Sequence, residues 1–221
     1  MRTFATTAPI STVLDIPAGH IRFIAADRAD TAVEVLPADA SKSRDVKAAE
    51  QTTVDYTDGV LRITATAKNQ YLGPSGAIEV TVRLPTGSHV EAKAAGADIR
   101  GVGRLGDVTY NGSHGHIKLD ETAGLRLTTQ AGDVTVGRLT GPAEISTMKG
   151  DIAITEAVRG TVVLNTRAGN VTIGAATGVS ASLDAGTGHG RIHNSLRNTD
   201  GNADLTIHAT TAYGDITARS L

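Results

Sequence analysis

Gly132-Asp133-Val134-Thr135-Val136, Gly150-Asp151-Ile152-Ala153-Ile154 and Gly169-Asn170-Val171-Thr172-Ile173 repeat one phrase. A glycine comes first, then a small polar residue, then apolar residues at every second position. Earlier in the chain stand Gly96-Ala97-Asp98-Ile99 and Gly115-His116-Ile117-Lys118-Leu119; later come the weaker copies Gly190-Arg191-Ile192 and Gly214-Asp215-Ile216. From Asp98 to His116, Asp133, Asp151 and Asn170 the steps are 18, 17, 18 and 19, and they then stretch to 21 and 24. A second series runs half a period out of phase: Gly106-Asp107-Val108, Gly124-Leu125-Arg126-Leu127, Gly141-Pro142-Ala143-Glu144-Ile145, Gly160-Thr161-Val162 and Gly178 before Ala181-Ser182-Leu183. Each period therefore holds two short strands and two turns.

Alternation such as Val134 and Val136 inward with Thr135 outward is the period-2 signature of a strand with one buried face. One strand of this length is not stable alone. Stacking successive coils at about 4.8 Å pairs each strand with its equivalents above and below and builds a continuous aliphatic core. Recurring glycines supply positive φ at the corners, and the Asp or Asn beside them can bond nearby backbone N–H groups in Asx turns. The expected fold is all-β, a parallel β-solenoid resembling a β-helix, with about 18 residues per two-strand coil. It is expected to form a single domain over residues 1–221, with a less regular N-terminal β cap and first coils over 1–95 and regular repeats over 96–221.

Within the cap, Leu14-Asp15-Ile16-Pro17-Ala18-Gly19 echoes Val82-Arg83-Leu84-Pro85-Thr86-Gly87. In both a strand is expected to end at Pro-x-Gly. Ser41 to Glu50 is the one plausible helix, with Ser41 or Ser43 as its cap. Thr53–Thr57, Asp58-Gly59 and Val60–Thr64 read as a hairpin with a type I′ turn. Asn69 to Gly76 is expected to be a mobile loop.

Composition agrees with a thin solenoid interior. There are 25 Gly, 2 Phe, 4 Tyr and no Trp in 221 residues, too few aromatics to line a large pocket. With 21 basic against 23 acidic residues, the net charge of −2 argues against sequence-independent nucleic-acid binding, which needs a concentrated positive surface. The absence of Cys excludes disulfides, thiolate metal sites and a cysteine nucleophile. No secretory h-region follows Met1 and no transmembrane-length apolar run occurs, so a cytoplasmic location is expected.

The Pro-x-Gly strand ends followed by serial Gly-Asp-Ile/Val phrases resemble the bacterial "putative adhesin" β-strand-repeat family of unknown function, over roughly Leu14 to Ile216. The resemblance implies a stacked β-strand domain of the kind associated with cell-envelope stress or surface proteins, with no assigned catalytic residues.

Four groups of residues invite a chemical reading. Asp133 and Asp151 should stand one above the other, with Asp98, His116 and Asn170 in the same column, and stacked carboxylates can hold Ca²⁺. The calcium-binding solenoid phrase Gly-Gly-x-Gly-x-Asp is missing, and His116 and Asn170 interrupt the charge, so turn capping is the expected role. His114 and His116 would face one side of an extended strand, but no third ligand is evident; His189 and His193 form no stronger set. Gly186-Thr187-Gly188-His189-Gly190-Arg191 precedes a strand rather than a helix, which suits a corner and not a phosphate cradle. No Gly-x-Ser-x-Gly elbow occurs, and the paired carboxylates and aromatic platforms of sugar-cleaving β-helices are not apparent. No catalytic, cofactor or metal residues are expected. The expected function is a non-enzymatic scaffold or protein-interaction module, with self-association through unpaired end strands. A carbohydrate- or cell-envelope-binding role comes second, and a polysaccharide-active enzyme a distant third.

Overall fold

The computed structural model describes residues 1–65, 76–199 and 201–221. Of the loop expected at Asn69 to Gly76, all but Gly76 lies outside the described residues. The chain divides into two compact units, Met1–Gly115 and His116–Leu221.

The first unit contains β1 (Arg2–Ala5), β2 (Ser11–Ala26), β3 (Asp30–Pro37), α1 (Ser43–Gln51), β4 (Thr52–Thr57), β5 (Val60–Ala65), β6 (Ile78–Pro85) and β7 (His89–His114). β2 is its axis. Ser11–Asp15 pair in parallel with β5, Gly19–Ala26 pair in parallel with β6, and β7 lies along β2 from Ser11 to Ile24. β2 thus changes partner at Pro17–Gly19 without ending. Pro17 has no N–H for a ladder and Gly19 has φ +138, so this Pro-x-Gly is a corner inside one strand. Only the second Pro-x-Gly ends a strand, where β6 stops at Pro85 and Gly87 turns the chain with φ +81. β3 adds antiparallel to β6 and β1 to β3. The expected hairpin is present: Thr57 pairs with Val60, and Asp58 and Gly59 both have positive φ, as a type I′ turn requires.

The helix begins two residues later than expected and has neither serine as its cap. Lys42 holds the N-cap position without a side-chain bond. Asp39 takes the Ser41 hydroxyl, at 2.6 Å, and its N–H, at 3.0 Å. Those bonds and Lys42 hold the Asp39 carboxyl down at about 2.

The second unit is the regular solenoid. It comprises β8 (Ile117–Ala131), β9 (Val134–Leu139), β10 (Ala143–Lys149), β11 (Ile152–Ala157), β12 (Gly160–Ala168), β13 (Val171–Ala175), β14 (Ala181–His189), β15 (Ile192–Ser195), β16 (Leu205–Tyr213) and β17 (Ile216–Ser220). All its pairings are parallel. Ile145 lies opposite Leu127 on one side and Leu164 on the other, and Ile152 lies between Val134 and Val171. The coil length of 17 to 19 residues read from the repeats is the register of the strands from β8 to β13.

The last two coils depart from chain order. β12 pairs with β16 and β13 with β17, while among the described residues β14 and β15 pair only with β16 and β17. The final coil, 205–221, is therefore inserted between the coil ending at Ala175 and the coil at 181–195. The sequence suggested simple succession, with one long step after another. Inward-facing residues explain the exchange. Leu205, Ile207, Ala209, Ile216 and Ala218 are wholly buried in the inserted coil. At the position of Ala218 the 181–195 coil carries Asn194, whose amide would be costly to enclose between two rungs. At the end of the stack its oxygen accepts the Leu196 N–H at 3.0 Å.

Candidate functional site

Each corner between the two faces of the second unit is built from five residues, Thr-x-x-Gly followed by a polar residue. The copies start at Thr129, Thr147, Thr166, Thr211 and Thr187, in spatial order. The glycines have φ between +138 (Gly132) and +159 (Gly190). They are also places of close approach. A Cβ at Gly150 would stand 2.2 Å from the Gly132 carbonyl oxygen, and one at Gly169 2.0 Å from that of Gly150. The threonine hydroxyls finish the contact. Thr166 donates to the Gly150 carbonyl at 3.1 Å, Thr211 to Gly169 at 3.0 Å and Thr187 to Gly214 at 3.0 Å. Thr129, Thr147, Thr166 and Thr211 are buried. This threonine column went unread in the sequence, although its spacing three residues before each glycine was visible there.

The polar residue after the glycine forms a second column. Asp133 Oδ1 accepts the Asp151 N–H at 2.9 Å, Asp151 Oδ1 that of Asn170 at 2.7 Å, Asn170 Oδ1 that of Asp215 at 2.9 Å and Asp215 Oδ1 that of Arg191 at 2.8 Å. His116 Nδ1 stands 3.4 Å from the Asp133 amide nitrogen and 3.6 Å from its carboxylate. Capping is thus the role of these side chains, but across rungs rather than within an Asx turn. Asp98 lies in the first unit with its carboxylate 3.4 Å from His20 Nδ1. There His89 Nδ1 accepts the Asp107 N–H at 3.0 Å, the same device with an imidazole.

These contacts leave the candidate ligands occupied or apart. One oxygen of each column carboxylate is committed to an amide, and among the described residues no three His, Asp or Glu side chains gather as a metal set. β7 stops at His114 and the chain resumes as a strand at Ile117, so the two histidines do not share an extended strand. Gly186–Arg191 is the last corner of the series, with Thr187, Gly190 and Arg191 in the usual places. His189 stacks on Tyr213 with ring centroids 4.9 Å apart, and His193 faces Thr217 on the neighbouring strand.

The column ends at Arg191, and there the site lies. Val134, Ile152, Val171 and Ile216 form one buried apolar row, all at 0% exposure. Each donates its N–H to the next rung at 2.9 Å, the last of them from Ile216 to the Arg191 carbonyl. Ile192 continues the row, is 43% exposed, and has no rung beyond it among the described residues. The polar column changes character at the same point, since Arg191 can donate but cannot accept. Arg197 follows in the same coil with its N–H on Ser220 Oγ at 2.9 Å, and Arg219 lies opposite Ser195. The start of the coil is covered, since Ala181 donates its N–H to the Arg197 carbonyl at 2.9 Å. The arrangement therefore offers, along β15, backbone groups with no rung beyond them among the described residues, one apolar contact and several guanidiniums.

Residues 13–220 match the Toastrack DUF4097 family. No curated protein matches the chain. Among solved structures, it is similar to a "putative adhesin" from Parabacteroides distasonis ATCC 8503, with 14% identity, TM-score 0.49 and 98% of this chain and 95% of that chain covered. A "putative lipid binding protein" from the same organism has 12% identity and TM-score 0.47, with the same coverage. A "putative cell adhesion protein" from Clostridium sporogenes ATCC 15579 has 12% identity and TM-score 0.43, covering 100% of this chain and 98% of that one. Likeness at this distance carries no function across.

Proposed function

The chain belongs to the Toastrack DUF4097 family, and from that premise we propose that it is a non-catalytic β-solenoid interaction module, which binds by adding a partner's strand to the open coil at 181–195. The observation that carries the reading is Ile192, exposed at the end of an apolar row whose other members are closed to solvent, on a strand that among the described residues is paired along one edge only. Unpaired edges template further pairing unless they are bulged, charged or covered, and strand addition takes its affinity from main-chain hydrogen bonds.

The test is selection of extended peptides from a displayed library on the whole chain, repeated with Ile192→Lys, which puts a charge into the row. Peptides that bind the parent and lose at least tenfold in affinity on the variant support the reading, provided they slow hydrogen exchange at Gly190 and Ile192. Binding that leaves those amides exchanging at their original rate places the interaction elsewhere and ends it. If a second copy supplies the strand, light scattering will show concentration-dependent dimers that Ile192→Lys abolishes; a monomer at every concentration excludes that partner.

A carbohydrate role is the second reading, favoured by the Tyr213–His189 stack, since Tyr213 is 57% exposed and aromatic faces suit sugar rings. Retention on purified cell wall that is lost in Tyr213→Ala would support it, and equal retention of both proteins would exclude the platform.

A further inference from the structure

The open coil also carries the chemistry of a particular partner. Around Ile192, residues 186–199 hold two arginines, Arg191 and Arg197, and two histidines, His189 and His193; the carboxylates flanking them in sequence are Asp184 on one side and Asp200 and Asp204 on the other. Asp184 is engaged on the other face, 3.3 Å from His208 Nδ1. A third guanidinium, Arg219, sits on the strand beneath, opposite Ser195. The nearest acidic group in the column, Asp215, already spends one oxygen on the Arg191 amide.

Inside the stack the rule of the column is uniform. Each side chain accepts the N–H of the residue above, and each polar residue is followed by an aliphatic one that extends the core. At the end the rule breaks at the polar position but not at the apolar one. Arg191 presents donors where Asp133, Asp151, Asn170 and Asp215 present acceptors, while Ile192 still presents an apolar surface. A strand continuing the ladder therefore meets a cation at one position and an aliphatic side chain at the next.

We propose that the occupant of the open coil is an extended acidic segment of a partner protein, in which a carboxylate facing Arg191 is followed directly by an aliphatic residue that covers Ile192. This rests on the strand-addition reading and specifies its partner. A carboxylate matches the guanidinium in charge and in its two-pronged geometry. A bare anion would satisfy the arginines alone, whereas an extended segment also covers the edge backbone groups and Ile192.

Three eight-residue peptides with the same Ile and Thr positions, differing only in Glu, Gln or Lys at the remaining sites, separate the claims. Each is titrated by fluorescence anisotropy against the whole chain at low and high salt, and hydrogen exchange is followed at Gly190 and Ile192. The Glu peptide is expected to bind at least tenfold more tightly than the Gln peptide, to weaken with salt, and to protect both amides. The Lys peptide should not bind. Arg191→Gln should erase most of the Glu-over-Gln preference, and Arg191→Glu should shift the preference towards Lys; circular dichroism of both variants checks that the fold is kept. Equal binding of the Glu and Gln peptides, with protection of the two amides, overturns the acidic partner and leaves strand addition standing. No protection by any peptide overturns both.

Discussion

Replacing Gly150 by Ala tests the corner most severely. The new Cβ would lie 2.2 Å from the Gly132 oxygen and 2.6 Å from its carbon, where ordinary contact begins at 3.4 Å. Relief needs a shift of about 1 Å between coils that are about 4.8 Å apart. Two bonds span that gap beside the residue, Gly132 N–H to the Lys149 carbonyl and Val134 N–H to the Asp151 carbonyl, both 2.9 Å. Stretched by about 1 Å they leave hydrogen-bond range, at a cost of about 1 kcal/mol each. The backbone adds its own penalty, because φ +143 suits glycine and costs another residue about 1–3 kcal/mol. The sum is about 3–5 kcal/mol, a large part of the stability of an ordinary domain. Gly186→Ala is the control, since nothing lies within 4 Å of its Cβ and the change should stay within about 0.5 kcal/mol. Urea unfolding followed by circular dichroism, with hydrogen exchange at Val134, reads both. Equal stability of the two variants would refute the claim that corner glycines are required by close approach.

Asp151→Ala removes the acceptor of the Asn170 N–H; because the group is exposed, the loss should be only about 1 kcal/mol, and Asp151→Asn should recover most of it in the same unfolding assay. Ile216→Ala should cost about 2–5 kcal/mol as a buried truncation, whereas Ile192→Ala, already 43% exposed, should cost less than half as much. Tyr110 is buried with no hydrogen-bond partner for its hydroxyl among the described residues, and burial, helped by the Asp98 carboxylate, raises its ionisation above the usual phenol range. The unfolded phenol then loses its proton first, so stability should fall as pH rises above about 10. Tyr110→Phe should remove that fall from a series of melting curves and leave the protein as stable or up to about 1 kcal/mol more stable at neutral pH.

The solenoid was legible because its period is carried by residues that admit few substitutes. A glycine with positive φ beneath a carbonyl cannot vary freely, and alternating Val and Ile residues mark a buried face, so Gly132, Gly150 and Gly169 announced the register that Ile152 and Val171 adopt. The Asp58-Gly59 hairpin was legible for the same local reason. Coil order was not, because Gly190-Arg191-Ile192 and Gly214-Asp215-Ile216 carry the same phrase and local pattern does not say which neighbour each will take. The choice depends on comparing inward residues, Asn194 against Ala218, once both positions are known. The open end was hidden for the same reason: Arg191 is unremarkable as a corner residue until Asp215 is found beneath it and, among the described residues, no further rung above. Pro17 misled because a proline that ends a strand in a flat sheet can also mark a corner where one strand changes partners.

Because the native chain has no cysteine, coil order can be read from engineered pairs. Asn165 lies opposite Thr210, and Gly186 lies opposite Thr210 on its other side. Neighbouring strands bring Cα atoms within the roughly 4.4–6.8 Å that a disulfide spans, while alternate strands, about 9–10 Å apart, do not. Under mild oxidation, with mass spectrometry as the readout, Asn165→Cys with Thr210→Cys should crosslink and Asn165→Cys with Gly186→Cys should remain reduced. Crosslinking of the second pair and not the first would mean that the coils follow chain order, and the open end at Arg191 and Ile192 would not exist.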